Sequence, residues 1–185
     1  PSDPSVLDLS KFAVGLIREK LRPDLDKNLQ FGMGLFESLR LLGLKYAPDP
    51  STPYAGFHRD PSKIDYLQYP YQTLAYKGGD SDELGVLFAT TLVSIDVPAA
   101  LVLLDDDVVV AFKLAIGEAQ ARAEFLKPNE LIYRNGAVWL PLQMSKLREG
   151  FLSAWASGST SWQKAVAQGA PTFIDLAQAW QTHKD

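Results

Sequence analysis

The helix that residue spacing predicts over Ser81 to Ile95 has almost no polar face: Leu84, Val86, Leu87, Phe88, Ala89, Leu92 and Val93 cover most of its circumference. Such a helix is stable in water only when other elements surround it. The rest of the chain must therefore build layers around this one segment. Its start carries Asp80, Asp82 and Glu83, whose charges suit the positive end of a helix dipole.

After Asp96 the period of the apolar residues shortens. Val97 to Leu104 and Val108 to Leu114 read as strands about the turn Asp105-Asp106-Asp107. Glu130 to Arg134 and Ala137 to Leu142 read as a second hairpin about Asn135-Gly136, a pair that accepts the positive φ angles of a tight turn. Helices are predicted on both sides of this sheet. Leu9, Phe12, Ala13, Leu16 and Ile17 mark the first, which Leu21-Arg22-Pro23 ends, and Asn28 to Leu42 forms the second, closed by Gly43. A short helix follows at Tyr71 to Tyr76, and three more at Lys146 to Ser157, Ser161 to Gln168 and Thr172 to His183.

Between Lys45 and Pro70 stand Pro48, Pro50, Pro53, Pro61 and Pro70, with Tyr46, Tyr54, Phe57, Tyr66 and Tyr69 among them. Proline this dense forbids regular helix and predicts a long extended connection, of the kind that forms a cleft wall. The order of elements predicts an α+β fold: a central buried helix packed on an antiparallel sheet, with extra helices at both ends.

With 185 residues and 46% apolar content, the chain suits one domain, residues 1–185, that folds without a metal or disulfide. It opens on Pro1 and is expected to be a piece of a longer protein. A net charge of -4 argues against nucleic acid as a partner. The absence of cysteine removes thiolate metal sites and any thiol nucleophile. His58 and His183 are the only histidines, so a histidine general base must be one of them. The longest apolar stretch, Val97 to Leu104, is strand length and far below the ~20 residues of a membrane span. No cofactor and no metal are expected.

Chemistry concentrates at Gly78-Gly79-Asp80-Ser81-Asp82-Glu83-Leu84. Glycines before a helix N-terminus allow close backbone approach, and the first-turn amides would stabilise an anion or activate a nucleophile there. The plain alternative is a tight turn with a capped helix.

This stretch, together with Tyr71-Gln72-Thr73-Leu74, resembles the active-site segment of bacterial transglutaminase-like proteins, within the papain-like cysteine peptidase superfamily. In that family a cysteine opens the central helix, a histidine begins a later strand, and an acidic or amide residue on the next strand orients it. The resemblance extends through Val97-Pro98-Ala99-Ala100, Asp107 to Phe112, Val138 to Met144 and Phe151 to Trp155 with Trp162, and includes Asp49 to Tyr54. It implies a papain-like core. It also places Ser81 at the cysteine position, Asp107 at the histidine position and Gln143 at the third.

A serine hydroxyl needs a base whose pKa lies near the working pH, and an aspartate near 3.9 is too weak. The resemblance therefore implies a catalytically inactive domain, kept as a protein- or peptide-binding or structural module of a larger bacterial protein. It implies a place in the periplasm or cell envelope. The binding surface would be the former cleft, walled by Tyr69, Tyr71, Tyr76, Gly79, Asp80, Ser81, Asp107, Trp139 and Gln143, since aromatic residues suit peptide contact. Trp139, Trp155, Trp162 and Trp180 are equally explained as packing residues. Two alternatives stay open. One is a serine hydrolase or acyltransferase using Ser81 with His58 as base; the other is a cation site built from Asp80, Asp82, Asp105, Asp106 and Asp107.

Overall fold

Five antiparallel strands form the floor on which the apolar helix lies. The computed structural model describes residues 3–48, 68–105, 107–169 and 171–182. His58, His183, Asp106 and most of the proline-rich connection lie outside the described residues. In chain order the elements are α1 (Pro4–Arg18), α2 (Lys27–Leu41), β1 (Lys45–Tyr46), α3 (Pro70–Tyr76), β2 (Gly78–Gly79) and α4 (Ser81–Val93). The hairpin strands β3 (Ala99–Leu103) and β4 (Val108–Lys113) follow, then α5 (Glu118–Glu124), β5 (Ile132–Arg134) and β6 (Ala137–Gln143). The chain continues through α6 (Phe151–Gln168), β7 (Thr172–Asp175) and α7 (Leu176–Thr182). Short 3-10 segments at Pro128–Glu130 and Met144–Glu149 join these pieces. The fold is α+β.

The sheet order is β5-β6-β4-β3-β7. Strand alternation divides its side chains between two cores. On the inner face, Leu101, Val108 and Val110 meet α4 at Gly85, where an added Cβ would lie 3.2 Å from Val110. Leu84, Leu87, Phe88 and Leu92 of α4 are all fully buried there, as an all-apolar helix requires. Phe36 of α2 makes edge contacts with Phe88 and Phe151, at 6.0 and 5.6 Å between ring centres. On the outer face, Val102, Val109, Ala111 and Trp139 form a second core with Trp162 of α6 and Phe173 of β7.

Polar anchors fix the helices to this floor. Asp26 accepts from the Leu29 amide, capping α2, while its other oxygen accepts from the amides of Ala115 and Ile116 just beyond β4. One carboxylate thus sets both a helix start and its position on the sheet.

Three elements differ from the sequence expectation. The two helices expected at Lys146 to Ser157 and Ser161 to Gln168 are one helix, α6, preceded by a 3-10 turn. Gly158 and Ser159, which read as a break, are buried at a helix–strand crossing: a Cβ at Gly158 would sit 2.8 Å from the Pro141 carbonyl oxygen. Pro141 lies beyond the last residue of β6 that pairs with β5, so its missing N–H costs the ladder nothing. Thr172 to Asp175, expected as helix, is a strand because the edge of β3 offers it four pairings. The polar stretch after Gly117 contains α5.

Candidate functional site

Asp80, Asp82 and Glu83 at the start of α4 are all tied into local hydrogen bonds. Asp80 is the N-cap: its side chain accepts from the Glu83 amide at 3.3 Å, and the Glu83 carboxylate accepts from the Asp80 amide at 3.2 Å. This reciprocal capping box satisfies two amides that a helix start otherwise leaves open. Glu83 also accepts from the amide and side chain of Gln68, at 3.1 and 2.6 Å, and so fixes where the chain re-enters before α3. Gly79 is glycine because Glu83 fills the space beside it; a Cβ there would lie 2.7 Å from the Glu83 Oε2.

The same turn concentrates acids out of water. Asp80, Ser81, Asp82 and Glu83 are all buried. Burial first, and then a hydrogen bond donated to Asp82 and the charge of Asp82, push the Asp80 carboxyl up to about 8. The Asp80 carboxyl therefore holds its proton through most of the neutral range.

Tyr46 completes this corner. Pairing of β1 with β2 sets Tyr46 beside Gly79. Its phenol is pushed above its usual range by burial, then by the charges of Asp107 and Asp80, with a hydrogen bond to Ser81 acting the other way. Tyr46 thus faces this acid corner, and it stays protonated at neutral pH. Nothing in the local sequence gives this away, because a two-residue strand carries no periodicity.

Asp107 and Gln143 are bonded to each other. Asp107 precedes β4 and Gln143 ends β6, and the register pairs Val109 with Gln143. The Gln143 side-chain amide donates to one Asp107 oxygen, and the Val108 amide donates to the other at 2.8 Å. Ser161 of α6 in turn donates to Gln143 Oε1 at 3.3 Å. A line of hydrogen bonds, Ser161 to Gln143 to Asp107, thus runs from α6 to the mouth of the β3–β4 hairpin. By alternation Asp107 and Gln143 share the outer face with Val109 and Trp139, whereas α4 covers the inner face. Ser161 belongs to this line, yet in sequence it is only the first residue of an expected helix.

The aromatic residues divide. Tyr69, Tyr71 and Tyr76 are exposed around α3, and the Tyr69 and Tyr71 rings stack at 6.0 Å and 9°. Trp139, by contrast, is not a wall of this surface. It is 4% exposed and packs edge-on against Phe173 at 5.2 Å, because its odd register position turns it into the outer core.

Among the described residues there is no group of three or more His, Asp or Glu side chains placed to hold a metal ion. Asp80 and Asp82 cap a helix, and Asp105 lies exposed on the hairpin turn. His58, the base of the hydrolase alternative, lies outside the described residues. Among the described residues no helix is long and apolar enough to cross a membrane.

No protein-family model, no curated protein and no solved structure matches this chain. The site is therefore argued from its own geometry.

The Asp107–Gln143 pair makes a direct prediction. Gln143→Glu sets a second carboxylate against Asp107, so one of the two must hold a proton. Urea unfolding should show a loss of about 1–3 kcal/mol at pH 8 and a smaller loss at pH 5. A pH-independent loss would mean that the two side chains are not in contact.

Proposed function

We propose that this chain is a catalytically inactive, transglutaminase-like domain of papain-like architecture, serving as a peptide- or protein-binding module within a longer bacterial polypeptide. Its element order supports the architecture: a buried helix beginning at Ser81, then antiparallel strands, with Asp107 entering one strand and Gln143 ending its neighbour. The observation that carries inactivity is the Asp107–Gln143 hydrogen bond. The position that should supply a base to Ser81 is an acid already committed to an amide.

The other groups near Ser81 are no better suited. Tyr46 is held protonated by burial and by the surrounding negative charge. Asp80 has a pKa in the right range, but its oxygens serve the Glu83 amide and Asp82. General-base catalysis requires hydrogen-bond reach as well as pKa. The exposed, stacked Tyr69 and Tyr71 beside this corner supply the kind of rigid aromatic area that anchors peptides.

Activity is the decisive measurement. Amine incorporation into a glutamine-bearing protein, deamidation of peptide glutamine and peptide hydrolysis should all remain at the level of an unrelated control protein. Ser81→Cys should gain nothing, since a thiolate needs a partner that Asp107 cannot supply. Activity above control that Ser81→Ala abolishes would overturn the reading. For binding, peptides selected from a random library on the immobilised chain should lose about tenfold or more in affinity with Tyr69→Ala plus Tyr71→Ala. Unchanged binding would remove the tyrosine surface from the proposal.

A further inference from the structure

A cavity of about 320 Å³ opens on the outer side of the sheet, between the end of β3, the β3–β4 turn, the last turns of α6 and the approach to β7. It is separate from the tyrosine surface. Its apolar walls include Leu104 and Pro171, and its polar groups include Asp105, Asp107, Ser161 and Lys164. The size falls at the small end of ligand sites, roughly 300–1,000 Å³.

Among the described residues, no ion pair uses Asp105, Asp107 or Lys164. Asp105 and Asp107 come from the hairpin, Lys164 from α6, so opposite charges stand on different walls. The acidic wall is also preorganised. Both Asp107 oxygens are held, by the Val108 amide and by Gln143, and Gln143 is held by Ser161. Because Ser161 spends its proton on this line, what it leaves for a ligand is acceptor capacity. Lys164 supplies the donor.

We propose that this cavity binds a small zwitterion of the free amino-acid class, its ammonium toward Asp105 and Asp107 and its carboxylate toward Lys164. Two carboxylates facing one ammonium group select a ligand that carries both charges over a plain amine or a plain acid. A larger molecule would not be enclosed in this volume. On this reading the Asp107–Gln143 pair is retained because it shapes the floor of a different pocket. The proposal does not depend on the tyrosine surface or on the absence of catalysis.

The test is titration of the whole chain at low salt with free L-amino acids, followed by ligand-observed NMR and thermal shift, with n-butylamine and butyrate as single-charge probes. At least one amino acid should bind saturably and about tenfold tighter than either probe. Lys164→Glu and Asp105→Asn should each weaken it about tenfold or more, while circular dichroism stays unchanged, because both side chains are exposed. Raising the salt should weaken binding. The proposal fails if no amino acid saturates by about 10 mM, if butylamine binds as tightly as the zwitterion, or if Lys164→Glu leaves affinity unchanged.

Discussion

Gly158→Val is expected to lower the thermal midpoint by about 2–12 °C. A Cβ at this position would lie 2.8 Å from the Pro141 carbonyl oxygen and 2.9 Å from the Leu142 nitrogen. Those are backbone atoms of a central strand and cannot swing aside as the tip of a side chain can. Overpacking of this kind costs about 1–3 kcal/mol, and each kcal/mol moves the midpoint of a chain this size by roughly 2–4 °C. Gly158→Ala should move in the same direction by less, because alanine recovers about 1 kcal/mol of helix propensity. Gly15→Ala in α1 is the control: nothing lies within 4 Å of its would-be Cβ, so it should stabilise by about 0.5–1 kcal/mol. A Gly158→Val protein that melts at or above the parent temperature would show that α6 does not rest on β6 as described.

The second large effect is in pH. Asp80 titrates at about 8 in the folded chain against 3.8 in an unfolded one. Between those values the folded state holds a proton that the unfolded state has released. Stability must therefore fall as pH rises through this window, by up to about 1.4 kcal/mol per pH unit. It is fully present below about 4 and is lost as pH passes 8. Asp80→Asn keeps an N-cap acceptor for the Glu83 amide and removes the titration. Urea unfolding from pH 4.5 to 8.5 should give a falling curve for the parent and a flatter one for Asp80→Asn. Equal slopes would mean that Asp80 ionises freely in the folded state.

Parts of this structure were legible in the sequence for physical reasons. A segment apolar on all sides can only be central, and Leu84, Leu87, Phe88, Ala89 and Leu92 of α4 are fully buried. Asn135 and Gly136 announced a turn with positive φ, and both have it, at 51° and 72°. What escaped depends on partners distant in sequence. β7 is a strand because β3 has a free edge, and the local pattern of Thr172 to Asp175 holds no sign of that edge. Gly158 looked like a helix break, yet glycine is there because another backbone passes close by. At the site, the acids at the start of α4 and the Asp107–Gln143 positions could be singled out from residue order and resemblance. Tyr46 and Ser161 could not, since each reaches the site only through tertiary pairing.

The two-residue ladder between β1 and β2 has a consequence for how this chain tolerates change. Lys45 pairs with Gly78 and Tyr46 with Gly79, and the Ala47 amide donates to the Gly79 carbonyl at 2.8 Å. The chain that leaves after Ala47 is thus stapled where it returns, immediately before the helix that the whole fold surrounds. The start of α4 is therefore held from two sides, by this ladder and by Gln68 on Glu83, and a change at either is felt at the acid corner.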